Sequence, residues 1–77
     1  MDTQDPSVII ETTLDDLDIA RSKAEAFIQD IVKAFESGNL PEAQFLYMRD
    51  RVERFLKKIS LYEGVFTSIR DAYSAVR

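Results

Sequence analysis

From Pro41 to Arg77 the chain reads PEAQFLYMRDRVERFLKKISLYEGVFTSIRDAYSAVR, and ten of its apolar or aromatic residues recur at alternating spacings of three and four: Phe45, Met48, Val52, Phe55, Ile59, Tyr62, Phe66, Ile69, Tyr73 and Val76. A strand needs period two, so this rhythm predicts a helix. At 1.5 Å per residue, one uninterrupted helix over the stretch runs roughly 55 Å, and an apolar stripe of that length asks for cover along its whole course. The pattern predicts association. It carries no recognisable chemistry and does not name a partner.

Gly64, the one glycine inside this stretch, separates two architectures. In one, Gly64 closes a helix, Thr67 or Ser68 caps a short third helix ending near Val76, and the protein is a three-helix bundle. In the other, a long helix B runs from about residue 41 to about residue 76 through Gly64, at a cost of about 1 kcal/mol relative to alanine. The heptad phase passes through Gly64 without a slip, which favours the continuous helix. About a dozen residues would then lie beyond the reach of the preceding helix, leaving Phe66, Ile69, Tyr73 and Val76 uncovered.

The preceding helix shows its own stripe, Leu14, Leu17, Ala24, Ile28, Ile31 and Phe35, with Arg21 as the one polar interruption and Ala20, Phe27 and Ala34 widening it. Thr12 and Thr13 each stand three residues before an aspartate, Asp15 and Asp16, in the manner of a capping box. Helix A is therefore expected over about residues 13–37, with Asp15, Asp16 and Asp18 near the positive end of its macrodipole. Residues 1–12 are expected to be a mobile segment, in which Val8-Ile9-Ile10 acts as a hydrophobic staple or, alternatively, as an extended piece that adds to a partner. Between the helices, Ser37-Gly38-Asn39-Leu40-Pro41 is a stop signal: Gly38 or Asn39 takes the left-handed position and Pro41 enters the first turn of helix B. So short a loop makes the helices antiparallel neighbours. The expected fold is all-α, an antiparallel helical hairpin with a long second helix and a single domain over 13–77, oligomeric, with the three-helix bundle as the alternative.

With 77 residues, no cysteine and no histidine, the chain has neither a disulfide framework nor a Cys/His zinc site to staple a small core. Helix packing or self-association must hold it. No apolar run approaches the roughly eighteen residues of a membrane span, and the start, Met1 to Pro6, is acidic where a signal peptide is basic. A soluble, cytoplasmic protein is expected. The net charge of −4 divides into three Lys/Arg against ten Asp/Glu over residues 1–42 and seven against four over residues 43–77. Folded back on each other, the halves attract, which favours a hairpin.

For catalysis the inventory is thin. Ser60, Ser68 and Ser74 have no base at helical spacing to activate them, so no enzyme, catalytic residue or cofactor is expected. Asp15, Asp16 and Asp18 lack the alternating ligands, glycine and terminal glutamate of a calcium loop, so no metal site is expected either. The run from Arg49 to Lys58 holds five positive charges, enough to meet phosphates, but Asp50 and Glu53 interrupt it and are spaced to pair with Arg54 and Lys57. A solvated, internally paired face accounts for it better than nucleic-acid binding. The expected contact surface for a protein partner or a second copy is therefore the helix B seam from its middle onward: Phe55, Ile59, Tyr62, Phe66, Ile69, Tyr73 and Val76.

The stretch Ser37-Gly38-Asn39-Leu40-Pro41-Glu42-Ala43-Gln44-Phe45-Leu46, a glycine-proline turn between two amphipathic helices, resembles the hairpin of the small needle-subunit co-chaperones of bacterial type III secretion, over roughly residues 14–59. That resemblance implies a hairpin working with a second, helical-repeat chaperone to cover the needle subunit's aggregation-prone helix, with the helix B seam as contact surface. The chain departs from the family in its longer second helix and in Val8-Ile9-Ile10. The expected function is a non-enzymatic protein-binding module acting through helix B, a small secretion chaperone being one version. The alternative is a small acidic inhibitor or antitoxin-like protein that docks Asp15, Asp16, Asp18, Glu25 and Asp30 on a basic target.

Overall fold

The computed structural model describes residues 5–76, which form two helices packed side by side: α1, Pro6–Glu36, and α2, Glu42–Ala75. The first begins where a proline follows an aspartate. Asp5 is extended, its carboxylate accepts the Ser7 N–H and hydroxyl at 3.0 Å each, and Pro6 occupies the first turn, where its missing donor costs nothing. Helix A thus starts before the expected cap at Thr13. Inside the helix, the Thr12 and Thr13 hydroxyls donate back to the carbonyls of Val8 and Ile9 at 2.7 and 2.8 Å, the habit of mid-helix threonine rather than of a cap. Val8-Ile9-Ile10 is helical and no staple: Ile10 is buried against α2, while Val8 and Ile9 face outward. Asp15, Asp16 and Asp18 lie beyond the first turn, out of range of the helix dipole. Of the segment expected to be mobile, residues 1–4 lie outside the described residues.

The turn follows from Gly38, whose φ of 81° is available to glycine at little cost. Its N–H donates to Phe35 at 3.1 Å and the Asn39 N–H donates to Ala34 at 2.9 Å, the paired bonds of a Schellman ending. Pro41, extended, serves as the N-cap of α2 rather than in its first turn. Next to the turn, Phe35 and Phe45 stack with ring centroids 4.5 Å apart and planes within 9°. At the far end the Tyr73 hydroxyl donates to Asp5 Oδ1 at 3.1 Å, and Arg70 meets Glu11 at 3.3 Å. The early start of α1 lets it follow α2 almost to its end, so of the four tail residues expected to be uncovered Phe66 and Tyr73 are half-buried, while Ile69 and Val76 are exposed.

Helix α2 runs through Gly64 without interruption, which excludes the three-helix alternative. A Cβ built at Gly64 meets nothing within 4 Å. Gly64→Ala is therefore expected to raise stability by about 1 kcal/mol through helix propensity alone, seen as a higher midpoint in thermal melts followed by circular dichroism. The hairpin measures 56 × 23 × 16 Å, and its buried side chains among the described residues are five, Ile10, Ala24, Ile31, Phe45 and Ile59, of which Ile59 alone is fully buried. None is polar. Among the described residues no helix is long and apolar enough to cross a membrane.

Candidate functional site

Nine members of the ten-residue stripe of α2 fall into two sets; the tenth, Met48, is in register with the second set but half-buried. Phe45, Val52, Ile59, Phe66 and Tyr73, seven apart, turn toward α1; Phe45 and Ile59 are 7% and 2% exposed, and the other three are half-buried. Phe55, Tyr62, Ile69 and Val76, also seven apart, are 48%, 49%, 44% and 81% exposed. Where a symmetric seam would bury these four, the hairpin half-buries Leu56, Glu63 and Arg70 instead. α2 is rolled toward the latter by about half a residue's turn, roughly 50°.

This roll has an electrostatic cause. Arg21, the polar interruption in the α1 stripe, donates Nη1 to Glu63 Oε2 at 2.8 Å, its Nη2 pairs with Glu63 Oε1, and Nη2 also donates to Ser60 Oγ at 2.9 Å. The hydrogen bond to Glu63 raises the guanidinium's already high pKa, with partial desolvation opposing it and the charges of Glu63, Glu25 and Asp18 adding to it. Nearly three turns of α1 away, on the same flank, Glu11 holds Arg70. Bidentate geometry of this kind fixes orientation as well as distance. One flank of the hairpin is thus closed by polar bridges between the helices. The charge reversal Arg21→Glu, which sets two acids against each other, is expected to lower the melting midpoint by several degrees, and adding Glu63→Arg to recover most of the loss; independent surface effects would leave the double variant worse than either single one.

The opposite flank is open. There Ala20, Ala24 and Phe27 of α1 and Val52 and Phe55 of α2 line an apolar groove of about 430 Å³, with Lys23 and Arg51 on its two rims. Arg51, Arg54, Phe55, Lys57 and Lys58 form an adjoining basic concavity of about 400 Å³. Further along, Val65 is exposed next to Tyr62 and Ile69. Between Lys58 and Arg70 the only charged residue is Glu63, and Glu63 is engaged on the closed flank. The open flank of α2 is therefore uncharged over three helical turns.

The predicted contact residues part company accordingly. Ile59 is the most deeply buried of them and belongs to the hairpin core, so it is corrected from contact residue to core residue. Phe66 and Tyr73 are half-buried against α1, and the Tyr73 hydroxyl is engaged with Asp5. Phe55, Tyr62, Ile69 and Val76 are presented to solvent, and Phe27, which the sequence reading treated as a widening of the core stripe, joins them at 44% exposure. Of the two ion pairs expected in the basic run, Asp50–Arg54 forms at 3.0 Å and Glu53–Lys57 does not. The Arg49 guanidinium lies over the Phe45 ring at 5.4 Å and that of Arg51 over Tyr47 at 6.0 Å. The charge asymmetry between the halves is not what closes the hairpin: Arg70–Glu11 follows its sense, Arg21–Glu63 runs against it, and Asp15, Asp16, Asp18, Glu25 and Asp30 make no ion pair among the described residues. Comparison with protein-family models finds no match, and comparisons with curated proteins and with solved structures find no significant similarity.

Proposed function

We propose that this chain is a non-enzymatic protein-association module that binds through the open flank of the hairpin, with Phe55, Tyr62, Ile69 and Val76 as its contact stripe. The observation that carries the reading is the exposure of these four large side chains at heptad spacing on a helix whose other flank is bridged by Arg21–Glu63 and Arg70–Glu11. Four such residues in register form a patch rather than scattered singles, and a sustained apolar stripe beside a groove is how a helix of another chain is received. A chaperone that shields an amphipathic helix of an exported subunit, as the family resemblance implies, is one specific form of this proposal.

A second reading rests on Asp15, Asp16, Asp18, Glu25 and Asp30 of α1, which make no ion pair among the described residues and suit an inhibitor docking on a basic site. Salt separates the two. Association through apolar burial is expected to change little between roughly 50 and 500 mM salt, whereas docking through α1 acids weakens steeply as the Debye length shrinks from about 13 to 4 Å. Binding that collapses with salt and survives substitution of the apolar stripe would replace the first reading by the second.

A further inference from the structure

We infer that the occupant of the open flank is a second copy of this chain, rotated 180° about the long axis of the hairpin, so that each α1 lies beside the partner's α2 in a four-helix bundle. This deepens the association reading above and rests on it. The area is of the right size: Phe27, Phe55, Tyr62, Val65 and Ile69, with Ile9 of α1, are 44–49% exposed, and side chains of that class present together on the order of 600 Å², approaching the about 800 Å² per partner of a standard interface. The whole chain exposes 5928 Å², against about 4,800 Å² for a compact monomer of its mass.

Charge selects the arrangement. α1 carries seven acids against three bases, and α2 six bases against five acids. Two face-to-face hairpins can set α1 on α1 and α2 on α2, or α1 on α2. Both can keep every neighbour antiparallel, but only the second sets unlike helices together. Rotation about the long axis leaves each residue at its own height, and the bridges Asp5–Tyr73, Glu11–Arg70, Arg21–Ser60 and Arg21–Glu63 pair residues whose numbers sum to 78, 81, 81 and 84, so that residues summing to about 81 stand level. Asp30, two turns beyond the rim residue Lys23, therefore stands level with the rim residue Arg51 of the other copy, and the contact occurs twice. Lys23 in turn stands level with the partner's Lys58, a like-charge contact that works against the dimer.

The test is sedimentation equilibrium on the 77-residue chain and three variants, with helicity checked by circular dichroism. The wild type is expected to be a dimer. Arg51→Glu is expected to weaken it roughly tenfold and Asp30→Arg with Arg51→Glu to restore it to within about threefold, while Lys23→Glu tightens it by removing the repulsion. Within one chain Asp30 and Arg51 make no ion pair, so recovery by the double variant reports a contact between copies. A chain that stays monomeric to roughly 100 μM, or a double variant weaker than Arg51→Glu alone, overturns the second copy as occupant. If the monomer then binds an apolar dye that Ile69→Asp abolishes, the association reading stands with another partner; if it binds none, both fall.

Discussion

Replacing Ile59 by alanine is expected to cost about 2–5 kcal/mol and to leave much of the chain unfolded at room temperature. Ile59 is the most buried large side chain in the hairpin, at 2% exposure, and it sits among only five buried residues described. A domain this small starts from the low end of the 5–15 kcal/mol range of native stability, so one core truncation removes a large share of it. The measurement is a urea melt followed at 222 nm. Phe55, four residues earlier in the same stripe, gives the contrast: it is half-exposed on the open flank, and Phe55→Ala in a dilute sample is expected to change stability by about 0.5 kcal/mol or less. Its cost should grow with protein concentration, because assembly stabilises the folded state by mass action, whereas the cost at Ile59 should not. Equal costs at all concentrations would mean that the roll of α2 is wrong.

Ile69→Asp is expected to abolish association while leaving the helices intact. A carboxylate in the middle of an apolar contact is desolvated without a partner, a cost of several kcal/mol and therefore a loss of affinity of 100-fold or more. In the isolated hairpin the same side chain is 44% exposed, so the free protein accommodates the charge in water and keeps its melting midpoint within a few degrees. Asp15→Ala and Asp16→Ala are the controls. Both residues are exposed and interior to α1, so each should leave stability within about 0.5 kcal/mol and association unchanged. Loss of binding from the acids and not from Ile69 would favour the acidic-docking reading. Mass by light scattering and helicity by circular dichroism read both quantities on one sample.

Most of the fold was legible, and its errors have local causes. The three-four rhythm identified α2 as a helix, the unbroken phase carried it through Gly64, and Ser37-Gly38-Asn39 identified the turn, each because a backbone constraint leaves a direct trace in residue type. The start of α1 was misplaced because two cap signals compete. Asp5-Pro6 and the Thr12/Thr13 pair both satisfy capping preferences, and the apolar Val8-Ile9-Ile10, read as a staple ahead of the helix, is a run whose third member is its first core residue. The candidate site was half legible. Periodicity says which residues share a stripe, but a two-helix hairpin covers only one edge of it, and ten equally spaced residues do not show which edge. The missing signal was polar: Arg21 interrupting the α1 stripe and Glu63 on the flank of α2 that α1 covers, a pair that sets both register and roll. Its counterpart on the other helix had to be known before Arg21 could be read as anything but an interruption.

Because the chain has no cysteine, a single fluorescent label can be placed at will, and the central claim, that one flank is closed and the other is an association surface, can be tested by comparing two labelled positions. With Val65→Cys on the open flank and Glu53→Cys on an exposed charged position, an environment-sensitive dye is titrated with an aqueous quencher at rising protein concentration. The account predicts a blue shift and growing protection at residue 65, with residue 53 freely quenched throughout. Equal quenching at both positions in every sample, or protection at residue 53 alone, would contradict it.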